Sequence, residues 1–344
     1  MALSLIYDLP LSELTTLLDS WNEPEYRALQ VWQGLYQHFW VSLEQFTNLP
    51  IALRHKLDTE FSFNALSPVS ILRSSDKQTV KTLFKLHDGL AIEAVLMRYK
   101  KRRTICISTQ VGCAMGCVFC ATGQMGFRRH LSSGEIVAQV MHYARLLHDE
   151  GDVITNVVVM GMGEPFHNYE NTLAAIDRLN DSKGYNFGAR RFTISTVGLV
   201  LAIRRFTLEK RQINLAISLH AADDALRSSM LPVNKAYPLD EILNACRDYT
   251  LTTGRRITFE WALVNGINDT PEQAHLLAGK LKGLLCHVNA IPLNPTKGYG
   301  GEPTTQRRAN LFKKILNEYG IPCTIRLRRG MDIQAGCGQL ASKD

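Results

Sequence analysis

The run Cys113-Ala-Met-Gly-Cys117-Val-Phe-Cys120 sets three thiols four and three residues apart, a spacing that lets one loop wrap one inorganic cluster. Three ligands on a four-iron cluster leave one iron open. An open iron can hold a reactant, whereas a fourth cysteine would confine the cluster to electron transfer. A structural zinc site is the competing reading. Zinc of that kind takes four protein ligands, often as two CxxC pairs, and no second pair occurs among the eight cysteines. The run therefore points to a [4Fe-4S] cluster used for chemistry and ligated by Cys113, Cys117 and Cys120.

With Phe119 before its last cysteine, the CxxxCxxC run resembles the signature of the radical S-adenosylmethionine (SAM) superfamily. The resemblance implies that the open iron chelates the amino and carboxyl groups of SAM, and that an electron from the cluster cleaves SAM to a 5′-deoxyadenosyl radical. That radical takes hydrogen from otherwise inert carbon. The signature fixes the chemistry and leaves the substrate open.

A chain of 344 residues, 45% hydrophobic and 21% charged, can bury a sizeable core and is expected to form one large domain with an appendage. No apolar run suggests a membrane span, and Met1 to Pro10 lacks the basic start and apolar core of a secretory signal. A cytoplasmic monomer is expected, in a reducing compartment that suits unpaired cysteines. The net charge of +7 and pI near 9.0 turn the question of partners toward polyanions. Positive residues cluster at Lys100 to Arg103, Arg128-Arg129, Arg190-Arg191, Arg204-Arg205, Arg255-Arg256, Arg307-Arg308 and Arg328-Arg329. Any one doublet reads most simply as a solvated face. Together they predict attraction to phosphate backbones.

The elements that must position the cluster follow from periodicity. Leu11 to Leu18, Tyr26 to Tyr36 and Leu49 to Phe61 are amphipathic and predict a small helical module. Thr79 to Leu86 and Leu90 to Tyr99 read as strands around Asp88-Gly89, a two-residue hairpin turn. From Thr104 the pattern becomes apolar strands alternating with helical segments: 104–111, 156–160, 191–196, 214–219, 256–264 and 287–293. Six units rather than eight predict an incomplete parallel barrel. Ser132 and Glu135 form a possible capping box for the helix after the cysteine loop.

Reactive groups of such barrels lie at the C-terminal ends of strands. The second strand ends in Met160-Gly-Met-Gly163-Glu164-Pro165, where glycines admit a ligand to the backbone and Glu164 offers an acceptor to an ammonium such as that of SAM. Ser195, Ser218-Leu219-His220 and Asn294-Pro295 close later strands and would face the same mouth, although each is equally at home in a turn or cap. Cys337, between Gly336 and Gly338, sits on approachable backbone near the C-terminus; Cys246, Cys286 and Cys323 read as ordinary buried thiols.

The motifs CATGxxGF from Cys120, MGMGEP, SLHA from Ser218, LNP from Leu293 and CGQL from Cys337 resemble the RlmN family of dual-specificity 23S rRNA and tRNA adenine C2 methyltransferases, over essentially the whole chain. A related branch, Cfr, methylates adenine at C8. Pro165 matches the C2 branch, while Phe166-His167 departs from the aliphatic pair common in the family. The resemblance implies an α/β fold: a partial (β/α)6 TIM-like radical SAM barrel over residues 104–344, an N-terminal helical RNA-binding accessory domain over 1–75, and a connecting β-hairpin over 76–103.

By the same resemblance Cys337 accepts a methyl group and becomes S-methylcysteine, Cys106 resolves the RNA adduct through a transient disulfide, and Glu93 accepts the ring proton, a task open to Cys106 as well. Gly163, Glu164, Ser195, Ser218, Leu219, His220 and Asn294 match the SAM-contacting positions. Two SAM molecules are consumed per turnover. The thiol is needed because C2 of adenine is an electron-poor amidine carbon with no lone pair to attack a methyl sulfonium directly. Implied partners are 23S rRNA at the peptidyl-transferase centre, tRNA, and an electron donor such as flavodoxin. Two rival readings remain: a C8 methyltransferase, and a noncatalytic iron–sulfur RNA-binding protein, which would not cleave SAM.

Overall fold

Short Val- and Ile-rich runs between helical segments can be buried on both faces, as parallel strands with helical crossovers require. In the computed structural model, which describes residues 4–64 and 66–341, they build one ten-stranded sheet. Its parallel part runs Arg103–Cys106, Asn156–Val159, Phe192–Thr196, Asn214–Ser218, Ile257–Leu263, Cys286–Pro292 and Cys323–Ile325, each strand beside the next in chain order. The six expected strands are all present. The seventh, Cys323–Ile325, spans three residues and was too short to leave a pattern. The first is shorter than its apolar run: Gln110–Gly112 leaves the sheet and pairs antiparallel with Phe127–His130.

Helices Ser133–Asp149, Tyr169–Asn180, Val200–Glu209, Leu239–Thr253, Pro271–Leu281 and Gln306–Glu318 cross between the strands and bury one apolar stripe each. The capping box at Ser132 forms as expected. Glu135 N–H donates to Ser132 Oγ, and Glu135 Oε2 accepts from Ser132 N–H at 2.9 Å. The same buried carboxylate takes both terminal nitrogens of Arg129 at 2.8 and 2.9 Å, while Arg129 Nε reaches Asp88 Oδ2 at 2.5 Å. Arg129 is therefore fixed between the helix start and the hairpin turn rather than held out to a phosphate; Arg128 stays exposed.

On the other side of Arg103–Cys106 the sheet continues antiparallel through Ala91–Arg98, Thr79–Lys85 and Ser67–Arg73. The Asp88-Gly89 turn forms, with Gly89 at φ +84. Residues 67–73 thus belong to the sheet and not to the helical module, which ends near Ser62. Pro68 sits in this strand because it is the sheet's edge, where a missing N–H costs no ladder bond.

The N-terminal module comprises Leu11–Ser20, Tyr26–Tyr36 and Ile51–Glu60 and shares its buried residues with the barrel core. Two polar contacts orient it. Arg178, on a barrel helix, donates to the carbonyls of Tyr7 and Asp8. Asp8 Oδ1 accepts from Gly134 N–H at 2.6 Å and Ser133 Oγ at 3.2 Å, so a module carboxylate caps the N-terminus of a barrel helix. No helix among the described residues is long and apolar enough to cross a membrane.

Asp8→Ala removes this cap, with an expected cost of about 1 kcal/mol. Hydrogen exchange should quicken in Leu11–Ser20 and Tyr26–Tyr36 while the amides of the parallel strands keep their protection; unchanged exchange in the module would show that apolar packing alone docks it.

Candidate active site

The Gln110–Gly112 and Phe127–His130 ribbon clips together the two ends of the cysteine loop. Gly112 makes the clip possible: its φ is +72, and a Cβ there would lie 1.8 Å from the Gly126 carbonyl oxygen. Within the loop Gly116 turns at φ +66, Cys113 N–H donates to Gly126 O, and Val118 N–H to Met230 O. Cys113, Cys117 and Cys120 consequently line one cavity of about 150 Å³ at the C-terminal ends of the strands.

Two observations test whether the loop fits an iron–sulfur cluster. All three thiols are free and open into one shared cavity, as the ligands of a multinuclear cluster must. Burial also raises the thiols, Cys113 to about 12 and Cys117 well above the ordinary thiol range, with the neighbouring cysteines adding to the rise. Thiolates held this close need a cationic centre to neutralise them. A multinuclear cluster meets both conditions.

Strand-end residues build the facing wall. Gly163 has φ +101 and packs so tightly that a Cβ would sit 2.6 Å from Gln110. Glu164 is buried, with its oxygens accepting from Phe166 and Val197 N–H at 3.0 and 2.9 Å. Burial pushes its carboxyl up to about 7; a bound ammonium would restore the charged form. Ser195 and Ser218 bring their hydroxyls within 3.3 Å of each other in the same cavity. His220 lies in the left-handed region at φ +62. Its Nδ1 accepts from Ala262 N–H, and burial holds the ring neutral by lowering it to about 3. Asn294 donates to the Cys337 carbonyl at 3.0 Å, and its buried Oδ1 has no partner, an acceptor left over for a ligand. Leu219 differs from the rest: its side chain packs in the core, its N–H donates to Glu260 O, and its carbonyl accepts from Arg227.

The C-terminal segment folds back over this mouth. Ala121 N–H donates to Gly338 O, Thr122 Oγ1 to Leu340 O, and Gln339 Nε2 to Pro295 O. Cys337 keeps accessible surface, but that surface faces inward to the cavity it lines with Cys113, Cys117 and Cys120, enclosed by the surrounding protein. It also lines a narrower cavity of about 50 Å³ that holds Cys106, and burial raises both thiols while Arg326 opposes the rise. Glu93 lies in neither. It is buried, ion-paired with Lys81 Nζ at 2.8 Å, and accepts from Ala341 N–H at 3.0 Å, so it holds the end of the segment.

Three positions in this site were not anticipated. Glu260 lines the main cavity in mid-strand, bonded to Asn289 and pushed up to about 7 by burial; a carboxylate between Phe259 and Trp261 in an apolar strand was the signal available. Arg326 follows the short final strand. Arg227 is fully buried and donates to the carbonyls of Val197 and Leu219 and to Asn234, tying two strand ends together. Nothing in its helix marks it.

Comparison with known proteins agrees with this geometry. The radical SAM superfamily model matches residues 107–278, and the model of the ribosomal RNA large subunit methyltransferase N-terminal domain matches residues 5–62. The dual-specificity RNA methyltransferase RlmN 1 of Myxococcus xanthus is 49% identical over 335 residues, 97% of this chain and 93% of that protein. A probable dual-specificity RNA methyltransferase RlmN of Geobacillus kaustophilus is 46% identical over 341 residues, 98% of this chain and 93% of that protein. The crystal structure of a radical SAM methyltransferase from Sphaerobacter thermophilus matches with a TM-score of 0.96 at 49% identity, over 98% of this chain and 99% of that one.

Anaerobically reconstituted protein should carry about four irons per chain. Cys117→Ala should lose the iron and its visible absorption while keeping the far-ultraviolet dichroism of the folded chain. Stoichiometric zinc without iron after anaerobic purification would contradict the site.

Proposed function

The chain belongs to the RlmN family of radical SAM RNA methyltransferases, and from that premise we infer that it methylates C2 of an adenosine in 23S rRNA, and in tRNA, through a methyl group carried on Cys337. One observation supports the thiol route above all: Cys337 forms a wall common to two cavities, one lined by the cluster cysteines and the other by Cys106. A carrier must meet the methyl donor on one side and its resolving partner on the other.

The cluster, held by Cys113, Cys117 and Cys120, supplies when bound the electron that converts SAM into a carbon radical. The protein's own groups do the rest. Glu164 receives an N–H of the SAM amino group, with Gly163 admitting the ligand to the backbone, and Asn294 Oδ1 supplies an acceptor. Ser195, Ser218 and His220 complete the pocket, and Leu219 positions its two neighbours through backbone bonds to Glu260 and Arg227. Cys337, as the thiolate, displaces the methyl group from the sulfonium and keeps it as a thioether. After loss of one hydrogen atom, that carbon bonds to C2 and tethers the RNA to Cys337.

Loss of the ring proton to a protein base, with the odd electron returned to the cluster that would have given one up at the start, would restore the aromatic base. Cys106 then attacks Cys337 Sγ; the carbon–sulfur pair leaves with the carbon, which a proton completes as methyl, and the two cysteines remain as a disulfide. A two-electron reductant resets them. Because Glu93 is already committed to Lys81 and Ala341, Cys106 is the better placed proton acceptor, and Glu93 takes part by holding the Cys337 segment. We assign the chain to the cytoplasm as a monomer, reduced by a flavodoxin-like donor.

With Cys337→Ala neither methylated RNA nor an adduct should form. With Cys106→Ala a covalent RNA–protein species through Cys337 should accumulate, resistant to denaturant and lost on nuclease treatment. Normal turnover by Cys106→Ala would refute the resolving role, methylated RNA from Cys337→Ala would refute the carrier, and mass spectrometry placing the methyl on C8 would move the enzyme to the other branch.

A further inference from the structure

The cavity that holds Cys106 and Cys337 has a basic rim. Tyr99, Arg326, Arg328 and Arg329 line it, and none of its described lining residues is acidic. Two of the seven basic clusters meet there, because the turn after Ala91–Arg98 packs against the chain end following Cys323–Ile325. That turn is tight, with Tyr99 N–H donating to Arg102 O at 2.7 Å. The Tyr99 ring gathers the cations: Arg329 Cζ lies 4.5 Å and Arg102 Cζ 5.2 Å from its centroid. Arg329 Nη1 is further held by the Arg98 carbonyl.

Their neighbours are neutralised, Arg98 by Glu150 and Arg103 by Asp152. Arg102, Arg326, Arg328 and Arg329 make no ion pair among the described residues. Glu260 lies near Arg326 and Asp76 near Arg329 without pairing with them, so the clustered like charges still repel one another, and a polyanion relieves that repulsion. Their position also suits the chemistry. An enzyme acting on a base draws one nucleotide out of its stack, so the flanking phosphates remain at the rim while the base goes in.

We propose that the cleft between the Tyr99–Arg102 turn and Arg326–Arg329 is where the RNA backbone is gripped on either side of the target adenosine, with Tyr99 organising Arg102 and Arg329 as phosphate ligands. This rests on the RNA methyltransferase reading and adds the face by which RNA reaches the two cysteines.

The test uses reconstituted holoenzyme and a hairpin RNA substrate. Arg102→Ala and Arg329→Ala should each flatten the slope of log affinity against log salt by about 0.7 to 1. Each should raise the KM for RNA more than it lowers kcat. Arg307→Ala, an exposed member of another doublet, should change neither. Tyr99→Phe should behave as the parent and Tyr99→Ala as an arginine variant. Transfer of labelled methyl from SAM to Cys337 without RNA should continue in all of them. In the unmodified enzyme, bound RNA should shield Arg102 and Arg329 from phenylglyoxal, read by mass spectrometry. Equal modification with and without RNA, or an unchanged salt slope and KM in the Arg102→Ala/Arg329→Ala double variant, would overturn the proposal; so would weakened heparin binding with an unchanged KM for RNA. If Cys106→Ala fails to trap RNA on Cys337, the thiol chemistry is wrong whatever the arginines do. If the trap forms and the slope holds, only the docking face is wrong.

Discussion

Cys337 reaches the cavity lined by Cys113, Cys117 and Cys120 because the last stretch of chain is bent back across the barrel mouth and fixed there by hydrogen bonds. The anchors come from four separated regions: Ala121 and Thr122 after the cluster loop, Asn294 and Pro295 after the penultimate parallel strand, Lys81, which donates to Gln334 O, and Glu93 in the antiparallel strands. Each is a polar group that the segment helps to bury, so loosening one exposes or strands the others. The antiparallel extension of the sheet therefore does more than connect the helical module. It supplies a buried Lys81–Glu93 pair whose carboxylate holds the chain end.

The cluster loop is constrained by space instead. Gly112 cannot bear a side chain against Gly126, and Gly163 cannot against Gln110, so the ribbon and the second strand end press the cysteines and the ligand turn into one cavity. Gln110 joins the two: its Oε1 accepts from Glu164 N–H. Arg227 does the equivalent for the opposite wall by satisfying strand-end carbonyls that would otherwise be buried without donors. Neither residue lines either cavity, yet both tie together the strand ends that do.

Charge is distributed by the same economy of burial. The surface doublets are not equivalent: Arg129 and Arg103 are consumed in ion pairs that hold the fold, and Arg205 bridges Glu170 and Glu209, whereas the arginines at the narrow cavity's rim form no ion pair among the described residues. A basic sequence attracts a polyanion anywhere; which cations are spare depends on where the carboxylates fall in the fold.

By itself the sequence determined the local chemistry. Thiol spacing at Cys113, Cys117 and Cys120, glycines at Gly161 and Gly163, the Ser132 cap and the Asp88-Gly89 turn are short-range features whose physics is complete within a few residues, and motifs along the chain were enough to name the family. Alternating apolar runs likewise disclosed six parallel strands, and missed Cys323–Ile325 because three residues carry no period. The tertiary structure decided everything that depends on burial and on partners distant in the chain. Glu93 is locked by Lys81 and Ala341, 248 residues away, where periodicity showed only a strand carboxylate. Residues 67–73 joined a sheet edge that exists only once the barrel is built. Glu260 and Arg326 became part of the site, and Arg227 its support, because packing desolvates them, and desolvation is a property of the folded surroundings that no residue carries in its own type.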